Sequence, residues 1–242
     1  MDWVKSANPN VRIYARSDLI TEVDEAWFEP GHWQRYKAVV GESKGRNTTY
    51  FIAHKRADNS TLNMVLRHYY RGGLVRKFSD DKFVYTGLRQ TRSVKELTML
   101  TAMCDLGLPV PKPVAARVVK SGLSCSNDIL IETIPNTKDG YNHLKSSPLS
   151  DEVWLRIGTT IKQFHQAGVY HSDLNIHNIL IDTNGKVFLI DFDNCQFRPN
   201  PDKWSQNNIL RLRRSLDKEK SLLPKFNFSD ENWQTLLTGY GQ

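Results

Sequence analysis

Residues 170–193 read Tyr-His-Ser-Asp-Leu-Asn-Ile-His-Asn-Ile-Leu-Ile-Asp-Thr-Asn-Gly-Lys-Val-Phe-Leu-Ile-Asp-Phe-Asp. Two apolar runs, Ile179 to Ile181 and Val187 to Ile190, flank Asn184-Gly185, the dipeptide that favours a tight hairpin turn. A polar loop carrying His171, Asp173 and Asn178 therefore leads into a strand-turn-strand unit that ends on Asp191.

That order and spacing match what phosphoryl transfer requires. A carboxylate must receive the hydroxyl proton and orient the nucleophile, and oxygen ligands must hold Mg²⁺ against the phosphates. Asp173 is placed for the first task, while Asn178 and Asp191 are placed for the second. Singly, each has a structural alternative: a turn cap for Asp173, loop backbone satisfaction for Asn178, and loop shaping for His171. The four in order are far more specific than any one carboxylate, and they point to a kinase catalytic loop with Asp173 and His171 as its catalytic pair.

Such an enzyme also needs a nucleotide cover, a cation on the next strand and a helix carboxylate to position it. Residues 36–55 contain two strand-like stretches joined by a loop with Gly41 and Gly45, where backbone N–H groups can approach anionic oxygens. An ordinary hairpin fits the same residues. The strand Leu62-Asn-Met-Val-Leu-Arg-His-Tyr-Tyr carries Arg67 where a kinase normally carries lysine; both cations pair with phosphate and carboxylate, but only arginine offers a planar fork. In the helix expected from Thr91 to Gly107, Glu96 is either the carboxylate partner of Arg67 or the far half of a capping box with Ser93. The β-branched run Asp128 to Pro135 suits a strand entering a hinge, with backbone near Glu132 and Ile134 meeting adenine. Ser150 to Gly168 predicts a helix with Ser150 as N-cap and Val153, Trp154, Ile157, Ile161 and Phe164 on one face, delivering the chain to the catalytic loop.

Five segments together resemble the bacterial 3-deoxy-D-manno-octulosonic acid (Kdo) kinases. They are Leu66-Arg-His-Tyr-Tyr-Arg-Gly-Gly, Thr91-Arg-Ser with Glu96, Gly107-Leu-Pro-Val-Pro-Lys-Pro-Val-Ala, His171-Ser-Asp-Leu-Asn-Ile-His-Asn, and Ile190-Asp-Phe-Asp. The similarity spans most of residues 35–195. It implies an α+β, bilobal protein-kinase-like fold, with a small antiparallel-sheet lobe over residues 1–135 and a reduced helical lobe over residues 136–242. It also implies ATP with Mg²⁺, and transfer to the 4-hydroxyl of Kdo on a lipid A precursor at the cytoplasmic face of the bacterial inner membrane. The general base of the family would fall on Asp173.

Composition is compatible with this. The 242 residues are 39% hydrophobic, enough for a substantial core, and the formal net charge of +7 calls for anionic partners. Cys104, Cys125 and Cys195 are too scattered for a disulfide framework or zinc site. No stretch has the length needed to span a bilayer, and the start Met1-Asp-Trp-Val-Lys lacks signal-peptide character, so a soluble or peripheral protein is expected. The segment Ile209 to Leu223 mixes Arg211, Arg213, Arg214, Lys218 and Lys220 with leucines; it either lies on anionic lipid or packs its leucines behind a solvated basic face. The short remainder after Asp191 and the lack of an Ala-Pro-Glu motif argue against a protein substrate, and no nucleic-acid partner is expected. Arg71, Arg76 and Lys77 beside Gly72-Gly73 are candidate acceptor contacts. Another small-molecule or atypical serine kinase, and a non-catalytic kinase-like module, are the alternatives.

Overall fold

Alternation of buried and exposed side chains makes strands of the N-terminal half. In Thr61–His68, Leu62, Met64 and Leu66 point inward while the residues between them do not. The computed structural model describes residues 1–4, 6–44, 48–70 and 81–242. These divide into two compact units, one of Met1–Thr101 with Lys112–Thr133 and one of Ala102–Pro111 with Ile134–Gln242. Helices and antiparallel sheets are segregated, as in an α+β fold.

The first unit contains strands β1 (Asp2–Val4), β2 (Val11–Ala15), β3 (Val39–Lys44), β4 (Thr48–Lys55), β5 (Thr61–His68), β6 (Phe83–Val84), β7 (Pro113–Ser121) and β8 (Ser124–Glu132). They form one antiparallel sheet in the order β1-β2-β7-β8-β5-β4-β3, with β6 added on β8. Helix α1 (Pro30–Arg35) and helix α2 (Arg92–Asp105) accompany it. Trp27, Phe28 and Trp33 bury against Ile13, Ile52, Met64 and Leu130, and Trp33 Nε1 donates to the Trp27 carbonyl at 2.7 Å. Asp128, buried on β8, is paired across the sheet with His68 of β5 at 2.6 Å and Arg117 of β7 at 2.8 Å, which offsets the cost of burying its charge.

The second unit contains β9 (Thr137–Asp139), α3 (Gly140–Ser146), α4 (Asp151–Gln166), β10 (Val169–Tyr170), β11 (Ile179–Asp182), β12 (Val187–Leu189), β13 (Gln196–Phe197), α5 (Ser205–Leu222) and α6 (Asp230–Tyr240). Helix α4 is the helix expected from Ser150. The Ser150 hydroxyl accepts from the Val153 N–H, Trp154, Ile157, Ile161 and Phe164 are buried, and Gly168 follows the helix end at φ +77°. Helix α6 crosses α4 at paired glycines. A Cβ on Gly158 would lie 2.0 Å from the Leu236 carbonyl oxygen, and one on Gly239 would lie 2.1 Å from that of Leu155. Only glycine permits so close a backbone approach.

Candidate active site

His171, 2% exposed, is placed by α4 and β10 at the start of the loop. Its Nε2 donates to the Ile190 carbonyl at 2.9 Å, and its Nδ1 accepts from the Asp173 N–H at 3.2 Å. The network thus assigns a neutral ring, and burial holds the His171 pKa below the ordinary histidine value. Asn175 Oδ1 caps the 3-10 turn Ile176–Asn178 by accepting from the His177 and Asn178 N–H groups. Asn178 in turn sends Nδ2 to the Asp173 carbonyl at 2.9 Å, which leaves Oδ1 as its remaining lone-pair donor.

The hairpin register sets the metal candidates. Ile179 faces Leu189, Ile181 faces Val187, and the Ile190 N–H donates to the Asn178 carbonyl at 3.1 Å. Asn178 and Asp191 consequently stand at the same open end of the β11–β12 hairpin. Asp182 Oδ1 accepts from the Asn184 and Lys186 N–H groups and closes the other end. Asp191 has φ 65°, a left-handed conformation uncommon for a residue other than glycine and tolerated best by Asn and Asp. Backbone strain of this kind is concentrated at functional sites.

Helix α5 fastens the loop. Asn208, Arg211, Ser215 and Glu219 recur at three- or four-residue intervals, so they form one stripe along the helix. Asn208 Nδ2 donates to the His171 carbonyl at 2.7 Å, Arg211 Nη2 meets Asp173 Oδ1 at 2.5 Å, Ser215 Oγ accepts from the Ile176 N–H at 3.3 Å, and Glu219 Oε1 meets His177 Nε2 at 3.3 Å. The neighbouring stripe of Ile209, Leu212 and Leu216 is buried. Burial alone would raise the Asp173 carboxyl, but the Arg211 guanidinium and the nearby Asn175 amide outweigh it and hold the pKa below the usual carboxylate value. Asp173 is thus kept ionised, with Arg211 held on its Oδ1 and the side chain half-exposed.

In the first unit Glu96, 3% exposed, lies on α2 with both carboxylate oxygens 2.5 Å from Arg67 Nη2 on β5. The Tyr69 hydroxyl donates to Glu96 Oε2, and burial beside Glu96 pushes that phenol well above its ordinary pKa. Ser93 falls inside the helix, with its hydroxyl directed to the Arg117 carbonyl and Asn127 Oδ1, so the Ser93–Glu96 pair is not a capping box.

Gly41 pairs with Phe51 in the β3–β4 hairpin, and a Cβ there would make only ordinary contact with Phe51 at 3.6 Å. The fold does not itself demand glycine at that position. Gly45 lies outside the described residues, as do Arg71, Arg76, Lys77, Gly72 and Gly73. The Glu132 N–H donates to the Lys112 carbonyl at 2.8 Å and its side chain pairs with Arg16. The Ile134 carbonyl accepts from Thr137, while the Ile134 N–H has no hydrogen-bond partner among the described residues.

Sequence reasoning missed the loop-fastening stripe on α5 and the third member, Tyr69, of the Arg67–Glu96 cluster. Helical spacing of Asn208, Arg211, Ser215 and Glu219 was the one available signal.

The model of the lipopolysaccharide kinase (Kdo/WaaP) family matches residues 31–240. The chain is 40% identical over 231 residues to a 3-deoxy-D-manno-octulosonic acid kinase of Photobacterium profundum, a match covering 96% of this chain and 95% of the relative. It is 42% identical over 208 residues to the enzyme of that name from Vibrio cholerae, covering 86% of each. It is 39% identical over 230 residues to that of a Haemophilus influenzae strain, covering 93% of this chain and 94% of the relative. The resemblance carried by the sequence motifs is the one these comparisons show.

Proposed function

The chain belongs to the lipopolysaccharide kinase (Kdo/WaaP) family, and from that membership we propose that it transfers the γ-phosphoryl group of ATP to the 4-hydroxyl of a Kdo residue on a lipid A precursor. Asp173 orients the acceptor hydroxyl and receives its proton, and the observation that carries this assignment is a half-exposed carboxylate held ionised by Arg211. The neutral, buried His171 holds the loop rather than moving a proton. Its role is positioning.

Arg67, braced by Glu96 and Tyr69, grips the nucleotide phosphates. The Ile134 N–H meets the adenine edge, and the lack of any steric need for glycine at Gly41 suits a backbone that lies against phosphate. Asn178 Oδ1 and the Asp191 carboxylate fit Mg²⁺, an ion that takes few protein ligands, all oxygen, and completes its shell with phosphate and water. When bound, the ion would neutralise charge on the transferring phosphoryl group.

No helix among the described residues is long and apolar enough to cross a membrane. A lipid-linked acceptor then requires peripheral attachment to the cytoplasmic face of the inner membrane, aided by the chain's net charge of +7. The direct test incubates the protein with ATP, Mg²⁺ and Kdo-bearing lipid A precursor and follows the lipid by mass spectrometry and NMR. A gain of one phosphate on the Kdo 4-oxygen is expected. An unmodified lipid, or phosphate on another atom, would refute the assignment.

A further inference from the structure

Arg211 is the one member of the α5 stripe that contacts the Asp173 carboxylate. Asn208, Ser215 and Glu219 already tie residues 171, 176 and 177 to the helix. The Arg211–Asp173 pair is by contrast about half-exposed on both sides, at 45% and 50%, and a pair so accessible to water contributes little to stability. It also uses a single Nη2–Oδ1 contact. A guanidinium has five N–H donors in a rigid fork suited to carboxylates, and among the described residues no second acceptor engages the Arg211 fork.

Any hydroxyl that reaches Asp173 Oδ2 must bring the rest of its sugar beside this arginine. If the sugar is an acid, its carboxylate would otherwise face the negative charge of Asp173 with nothing to offset the repulsion. On the Proposed function given above, we propose that Arg211 is an acceptor-reading residue: it keeps Nη2 on Asp173 and takes the carboxylate of the sugar acid with the rest of its fork. One side chain then links two requirements, an ionised base and an anionic acceptor. A neutral sugar with the same hydroxyl would lose its partner and leave the fork unsatisfied, which disfavours it.

The experiment compares two lipid-linked acceptors, one with the sugar carboxylate intact and one with it reduced to a primary alcohol. Wild type, Arg211→Ala and Arg211→Lys are assayed for kcat/KM on each acceptor and for the KM of ATP, with thermal unfolding as the check on folding. Wild type should prefer the carboxylate by about tenfold to a hundredfold. Arg211→Ala should bring the ratio of the two acceptors close to unity without changing the KM of ATP, and Arg211→Lys should restore part of it. A ratio unchanged in Arg211→Ala, with both acceptors slowed equally, would make Arg211 only an orienter of Asp173 and overturn the inference. So would an equal preference in wild type, or a raised KM for ATP with the acceptor ratio intact. If wild type phosphorylates neither acceptor, the reading of function itself fails, an outcome distinct from these.

Discussion

The Asn208 side chain donates from Nδ2 to the His171 carbonyl at 2.7 Å, and this one bond gives direction to a chain of buried polar groups. Because Nδ2 faces His171, Oδ1 must accept from His165 Nε2 at 3.0 Å, and His165 Nδ1 then accepts from the Tyr240 hydroxyl at 2.8 Å. Every member is satisfied with both histidines neutral. The loop that begins at His171 is thereby coupled to α4, α5 and the end of α6.

Acid should loosen this arrangement first. Burial lowers the His165 pKa from 6.5 to about 4, so between those values the unfolded chain binds a proton that the folded chain does not. Stability from this group is fully present above pH 6.5 and declines as pH falls toward 4, by about 3 kcal/mol in all, and His171 shifts in the same direction. Urea midpoints at pH 7.5 and 4.5 should differ accordingly, and His165→Gln should reduce the difference. Asn208→Leu, which orphans His165 Nε2 and the His171 carbonyl, should cost about 1–3 kcal/mol per lost partner at pH 7.5. A pH dependence identical in wild type and His165→Gln would remove His165 from this role.

The Arg67–Glu96 pair makes a combined prediction. Glu96→Ala removes the buried acceptor of the Tyr69 hydroxyl and the carboxylate paired with Arg67, and should destabilise the protein by about 1–3 kcal/mol. Arg67→Ala should raise the KM of ATP and nearly abolish turnover, with Arg67→Lys recovering part of the rate because charge returns without the fork. Unaltered ATP kinetics in Arg67→Ala would reduce the pair to a structural brace.

For the metal, Asp191→Ala removes a formal charge and a ligand whereas Asn178→Ala removes only a neutral oxygen and the bond to the Asp173 carbonyl. Titration of Mg²⁺ against nucleotide binding should show the larger loss of affinity in Asp191→Ala. Full metal dependence in both variants would exclude these residues as ligands.

The proposed membrane attachment should draw on only part of the basic helix. Arg213 is paired with Asp217 at 2.8 Å and Asp230 at 2.6 Å, and Arg211 with Asp173, so the cations of α5 left for lipid headgroups include Arg214 and Lys218. Replacing both by glutamine should weaken binding to anionic vesicles by about 1 kcal/mol each at low salt, and added salt should have a similar effect on wild type. Cosedimentation indifferent to both would move the contact to another surface.

The loop of residues 171–178, the hairpin after it and α4 were legible as structure because their signals are local: fixed motif spacing, an Asn-Gly turn, an N-cap and a helical apolar face. Arg67 and Glu96 were legible as a pair because each occupies a recognisable place on its own strand and helix. The loop-facing stripe of α5 was not, since its partners lie some forty residues earlier in the chain and the same arginines suit a solvated or lipid-facing surface equally well. Arg211 illustrates the difficulty. The sequence shows it as one cation in a basic run, and only the packing of Ile209, Leu212 and Leu216 rotates it toward Asp173. Strands β1 and β2 and the Trp27–Trp33 core were likewise hidden, because nothing within the first thirty residues announces the pairing of β2 with β7.

Turnover of Kdo-bearing lipid by Asp173→Asn, measured beside wild type at saturating ATP and Mg²⁺, bears most directly on the proposed chemistry. The substitution keeps the size of the side chain and removes its ability to take a proton, so kcat should fall by about 100-fold or more while nucleotide affinity and the unfolding midpoint stay close to wild type. Near-normal kcat in a folded Asp173→Asn protein would contradict the assignment of Asp173 as proton acceptor and, with it, the mechanism built on that loop.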